Sequence, residues 1–206
     1  MNNLLRRQIL SHHHRNKIAP ACDVFINHRG TDTKRTVASL LYDHLVRLNL
    51  RPFLDNKNMK PGDKLFDKID SAILGCKLGI AVFSPRYCES YFCLHELALI
   101  MESKKKVIPI FCDVKPSELR VLVNGSIPIS TMDLRRFNAA LEEAKYTVGL
   151  TFDSLKGNWS DVVTDAADIV IDSLIDMEEE RILRRSRQST GISFPKVVQA
   201  ARITKA

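Results

Sequence analysis

The chain has 206 residues, of which 45% are hydrophobic and 27% charged, the balance of a soluble globular domain with tails and not of a disordered or fibrous chain. No apolar run approaches the roughly 18 residues that a membrane span takes, and 5 unevenly spaced cysteines, most of them inside or beside apolar segments, read as reduced core thiols with neither disulfide nor zinc spacing. The net charge of +7 belongs to the ends: residues 1–20 and 181–206 hold 4 and 7 basic residues and no acid, leaving the interior at −4, so basic solvated tails are expected and nucleic-acid contact is the weaker alternative.

Residues 1–20, with Arg6, Arg7, Arg15, Lys17 and the run His12-His13-His14, read as a disordered basic leader. From Cys22 the pattern becomes regular. CDVFIN (Cys22–Asn27) is a mostly apolar strand, and His28-Arg29-Gly30 is a turn. Thr33–Leu48 carries Val37, Leu40, Leu41, Leu45 and Leu48 at helical spacing. Arg51–Asp55 is a short second strand, followed by a polar loop, Asn56–Asp63, with a Pro-Gly turn. Leu65–Leu74 predicts a helix with a stripe of Leu65, Phe66, Ile69 and Ile73, and Lys77–Phe83 a third strand. Ser90–Ser103 (SYFCLHELALIMES) is a helix of about four turns. Val107–Val114 is the fourth strand, and 115–131 is irregular. Met132–Val148 is helical, Leu150–Phe152 is a fifth strand, and Trp159–Met177 is an amphipathic helix. One folded domain over 21–178 is expected, with 179–206 a flexible basic extension.

Strands alternating with helices predict an α/β fold: a five-stranded parallel sheet of flavodoxin-like order 2-1-3-4-5 with helices on both faces. In such a sheet ligands bind beyond the carboxyl ends of the strands where the order reverses, here between the first and third. The loops at that point are Asn27–Thr31 and Ser84–Tyr91, which brings Ser84 and Tyr87 to the candidate crevice. The chain has no GxGxxG, no P-loop, no GxSxG, and no Asp at the end of the third strand. A dinucleotide fold of the Rossmann type, a nucleotide triphosphatase, a hydrolase elbow and a phosphoacceptor receiver are therefore disfavoured. Helical spacing sets Glu96 beside Phe92, Cys93, Leu97, Ile100 and Met101. A carboxylate there is either a partly exposed Glu with a Lys partner or a desolvated group with a raised pKa and a chemical task.

Ordered motifs across roughly residues 22–177 resemble plant Toll/interleukin-1 receptor (TIR) domains. CDVFINHRGTDTK (Cys22–Lys34) is similar to their YDVFLSFRGEDTR, and FLDNKNMKPGDKL (Phe53–Leu65) to FIDDEELERGEEI. IAVFSPRYCESYFCLHEL (Ile80–Leu97) resembles IVVFSKNYASSRWCLDEL, and VIPIFCDVKPSELR (Val107–Arg120) resembles VIPIFYDVDPSDVR. The chain resembles a TIR-only protein, since no nucleotide-binding or leucine-rich-repeat region follows. The resemblance implies a self-associating domain that cleaves NAD+ or NADP+ as substrate at the nicotinamide–ribose bond and holds no prosthetic group. Its products would be ADP-ribose and cyclic ADP-ribose-type signals in plant immunity and cell death, made in the cytoplasm or nucleus. The catalytic Glu of CLDEL falls on Glu96. Asn27, His28, Arg29, Gly30, Lys34, Lys60, Ser84, Tyr87, Phe92 and Cys93 are the matching candidates for nucleotide binding, and no metal ligand is expected. The expected assembly surfaces are Thr33–Leu48, Trp159–Met177 and the loop Asn56–Asp63, with other TIR proteins as further partners. This chain has Phe92 where the family has Trp, His95 for Asp, Asn27-His28 for Ser-Phe, and Lys60-Pro61-Gly62 for Glu-Arg-Gly. The alternative is a non-catalytic adaptor that pairs TIR domains through the same surfaces.

Overall fold

The computed structural model describes residues 22–122 and 129–190. Its sheet has five parallel strands, β1 (Val24–His28), β2 (Pro52–Phe53), β3 (Leu78–Phe83), β4 (Lys106–Cys112) and β5 (Leu150–Phe152), in the order β2-β1-β3-β4-β5. This is the flavodoxin-like arrangement that the alternation predicts. β1 and β3 are buried at every position. Helices cover both faces, so neither strand needs a polar side and their apolar runs are continuous.

Five helices carry the packing: α1 (Val37–Arg47), α2 (Leu65–Gly75), α3 (Tyr91–Glu102), α4 (Thr131–Lys145) and α5 (Trp159–Thr190). On one face α2, α3 and α4 bury Ile69, Ile73, Leu94, Leu97 and Phe137 against Phe25, Phe83 and Phe111 of the sheet. On the other face α1 and α5 bury Leu41, Leu45, Val163 and Val170 against Val24, Ile26, Ile80 and Ile110. The start of β1 is tied to both neighbours by Asp23, whose buried carboxylate lies 3.1 Å from Arg51 Nε and 3.1 Å from Lys77 Nζ. Burial alone pushes this carboxyl up, but the bonds from Arg51 and Lys77 outweigh it and hold the group below its ordinary range.

Several boundaries differ from those read off the sequence. The first helix is split into a single turn, Gly30–Thr33, and α1, and Leu40 of its stripe is exposed. The polar loop after β2 opens with a helical turn, Asp55–Asn58, and Gly62 makes the Pro-Gly turn at φ 97°. Leu65 and Phe66 do not join the core, which takes only Ile69, Ala72 and Ile73 from α2. Helix α5 does not stop at Met177 but runs to Thr190. Ion pairs one turn apart, Arg181 with Glu178 and Arg184 with Glu180, support those added turns without an apolar stripe. The leader 1–20 and the last part of the basic extension, 191–206, lie outside the described residues. Among the described residues no helix is long and apolar enough to cross a membrane.

Candidate active site

The strand order reverses between β1 and β3, the point beyond whose carboxyl ends a sheet of this kind forms its ligand crevice, and α3 starts beside it. Ser90 caps that helix, its Oγ accepting from Cys93 N at 3.3 Å. The cap fixes the first turn, and Glu96 follows one turn later. Glu96 is half-buried, and its Oε2 accepts from Asn27 Nδ2 at 2.7 Å. Asn27 is fully buried near the end of β1, and its Nδ2 also donates to the Cys93 carbonyl at 3.1 Å. Asn27 Oδ1 accepts from the hydroxyl of Tyr87, which is itself fully buried and lies 3.1 Å from the same Cys93 carbonyl.

No cation among the described residues pairs with Glu96. Burial pushes its carboxyl up to about 8; the Asn27 bond pulls it back, and the negative charges of Asp55 and Asp70 raise it further. The reading of an exposed Glu with a Lys partner is therefore set aside.

The end of β1 and the turn after it supply the rest. His28 is buried, its Nε2 4.0 Å from Asp55 Oδ1 and without a hydrogen bond among the described residues. Burial lowers this imidazole below its ordinary value, and Asp55 offsets part of the change. The Arg29 carbonyl accepts from Asp32 N and Thr33 N, both at 3.0 Å, which starts the turn Gly30–Thr33. Arg29 Nε is buried without a partner among the described residues, which leaves a charged donor for an anionic oxygen. A Cβ built at Gly30 would meet nothing within 4 Å, so the backbone there can be approached. Lys34 is exposed at the end of the turn.

Four candidates are spent on internal bonds. Asn27 and Tyr87 hold each other, and Asn27 holds Glu96. Ser84 Oγ donates to Asp32 Oδ2 at 2.7 Å, and Arg86 N reaches the same oxygen at 3.2 Å, so Asp32 staples the loop after β3 to the turn after β1. Cys93 is buried, with Sγ 3.3 Å from the His28 carbonyl. Burial, with Glu96 nearby, pushes its thiol up to about 12, and it stays a thiol at neutral pH.

At the rim stands a ledge that the sequence conceals. Phe92 is 37% exposed and Phe66 43% exposed, with ring centroids 5.4 Å apart. His95 meets Phe66 edge-on at 5.5 Å and lies 3.1 Å from Asp70. Phe66 has an apolar neighbour, Leu65, and sits in the stripe of α2, so periodicity alone assigns it to the core. The charged pair Asp67-Lys68 directly after it is the one sign that this turn faces solvent. Lys60 is exposed in the turn before α2, where its backbone N donates to Asp63 Oδ2 at 2.9 Å. A cleft of about 500 Å³ lined by Lys105, Lys106, Glu143, Val148 and Ile169 lies at the opposite end of β4 and β5 and shares no residue with this crevice.

The TIR domain model matches residues 21–172. A Brachypodium distachyon protein named "Probable 2' cyclic ADP-D-ribose synthase BdTIR" is 53% identical over 158 residues, covering 76% of this chain and 70% of that protein. TMV resistance protein N of Nicotiana glutinosa is 41% identical over 102 residues, which is 48% of this chain and 9% of that protein. Among solved structures, the TIR domains of the activated Roq1 resistosome recognising the effector XopQ match with a TM-score of 0.62 at 27% identity, over 73% of this chain and 99% of that one.

Proposed function

Because the chain belongs to the TIR domain family, we propose that it cleaves the nicotinamide–ribose bond of NAD+ or NADP+ and feeds ADP-ribose and cyclic ADP-ribose-type products into plant immune signalling and cell death. The observation that carries this reading is Glu96, a half-buried carboxylate with no cationic partner among the described residues, fixed at the point where the strand order reverses. The name of the Brachypodium relative, a cyclic ADP-D-ribose synthase, supports the substrate class.

The chemistry follows from the placement. Nicotinamide leaves as a neutral ring with the bonding electron pair, and positive charge develops on the ribose C1′ and ring oxygen. The Glu96 carboxylate stabilises that charge and orients the ribose hydroxyls, as glycosidase carboxylates do. Water adding to C1′ gives ADP-ribose and releases a proton. A hydroxyl or ring nitrogen of the same molecule adding there closes a cycle instead. The unspent Nε of Arg29 suits a diphosphate oxygen. Phe92, with Phe66 beside it, gives a face on which a base ring can stack. Lys34 and Lys60, both exposed, are candidates for further contacts to the phosphates. Activity requires copies of the domain to associate, which the resistosome TIR domains support; the surfaces would be α1, α5 and the loop Asn56–Asp63, and the place the cytoplasm or nucleus.

The test is nicotinamide release from NAD+ by purified protein at dilute and at high concentration, beside Glu96→Ala. Release should climb steeply with concentration and fall at least 100-fold in the variant, about 3 kcal/mol of transition-state stabilisation. Self-association should be unchanged by the substitution. No release from a folded, self-associating protein would sink the enzyme and leave the TIR-pairing adaptor.

A further inference from the structure

Asn27 and Tyr87 stand where a nucleotide-binding role is expected from the sequence, yet both are fully buried and their N–H and O–H donors are spent inside the protein. A carboxamide has an oxygen end and a nitrogen end of nearly equal shape, so packing alone does not choose its orientation. Here its partners choose. The Tyr87 hydroxyl has two oxygens in reach, Asn27 Oδ1 and the Cys93 carbonyl; with the nitrogen end of the amide toward α3 it donates to Oδ1, and the Cys93 carbonyl accepts from Nδ2 at 3.1 Å. In that orientation the second hydrogen of Nδ2 reaches Glu96 Oε2 at 2.7 Å, so Tyr87, the Cys93 carbonyl and an ionised Glu96 are all satisfied at once. Oε1 of Glu96 carries no hydrogen bond among the described residues.

We propose that Asn27, locked by Tyr87, is the positioning residue of this site: it binds Glu96 Oε2, fixes the plane of the carboxyl group, and leaves Oε1 as the oxygen that acts on the ribose. This rests on the reading of Glu96 as the catalytic carboxylate. Every element around Glu96 contributes a group. The turn after β2 brings Asp55, α2 brings Asp70, the end of β1 brings His28, and the turn after it brings Arg29. Helix α3 itself adds Cys93, and His95, which pairs with Asp70. Burial and the two acids favour the protonated form of Glu96, while the Asn27 amide favours the ionised one. A fixed donor in a water-poor pocket interacts more strongly than one in solution. Its loss would let the carboxyl group rotate and hold its proton to higher pH.

Asn27→Leu keeps the branched shape, with a somewhat larger volume, and removes the donor. Tyr87→Phe keeps the ring and frees the amide to turn its oxygen toward Glu96, a milder change in the same direction. The closing experiment follows the Glu96 side-chain carbon by NMR in ¹³C-Glu protein across pH, its signal assigned by absence in Glu96→Gln, together with NAD+ cleavage across the same range. Asn27→Leu should raise the titration midpoint by about one unit, which lowers the rate at pH 7 about 10-fold. Most of that rate should return at pH 9.5. Tyr87→Phe should move both readouts the same way by less. A role in folding alone would lower the melting temperature and cut the rate equally at every pH, with the midpoint in place, and would overturn the proposal. So would an unmoved midpoint in Tyr87→Phe, the variant that decides if Asn27→Leu does not fold. A midpoint that moves in protein without any NAD+ cleavage would uphold the Asn27–Glu96 coupling and remove the cleavage reading.

Discussion

Glu96 sits where its charged form costs the fold free energy. Burial lifts its pKa from 4.5 to about 8, so the folded protein holds this proton more tightly than the unfolded chain does. That preference favours folding in full below about pH 4.5 and is lost as pH rises through 8. Glu96→Gln cannot ionise and keeps the bond from Asn27. Its stability should match the parent near pH 4.5 and exceed it increasingly up to about pH 8, then level off. The gap at pH 9 should be on the order of 3 kcal/mol, since the exposed edge of the carboxylate is partly screened by water. Melting curves of both proteins from pH 4.5 to 9 measure it, and a gap that stays constant across that range would contradict a desolvated Glu96. His28 runs the other way. Its folded pKa lies below the ordinary 6.5, so its contribution is present above that pH and is lost as pH falls below it.

At the scale of elements, the strands were legible because both-face burial demands apolar residues throughout, and Leu150–Phe152 appears with the bounds read from the sequence. The same demand hid the direction of Asn27. A strand buried at all positions has no polar alternation, so nothing in VFINH says that the Asn turns toward α3. Glu96 was legible because helical spacing and motif converge on it, while its partner Asn27 comes from 69 residues away. The length of α5 past Met177 was not legible, since ion pairs one turn apart leave no apolar signal. Asp23 shows what a polar residue at a strand start does. It joins the starts of β1, β2 and β3 through Arg51 and Lys77, both partly in water. Asp23→Ala leaves two cations without their shared partner and should cost about 2 kcal/mol, read as a lower urea midpoint with unchanged slope. An unchanged midpoint would mean that the strand pairing needs no such tie.

The whole molecule divides the work between the two faces of its sheet. The α2–α3–α4 side carries the helix that bears Glu96, and α1 and α5 pack Leu41, Leu45, Val163 and Val170 on the other. Leu97, next to Glu96, and Leu41 of α1 are both wholly buried, one on each side. Truncating either to Ala removes the same atoms from a packed core and should cost about 3 kcal/mol. Their effects on catalysis should part. A cavity under Leu97 lets α3 settle and shifts Glu96 against Asn27, and a shift of about 1 Å is enough to lose roughly 100-fold in rate. A cavity under Leu41 lies across the sheet from that contact and leaves its distance alone. Urea unfolding and NAD+ cleavage, measured on both variants at a temperature where each is folded, separate the two. Equal stability losses with a rate loss confined to Leu97→Ala would place the control of the site in the packing of α3. Equal rate losses would mean that the crevice responds to the stability of the domain as a whole and not to the face on which it is built.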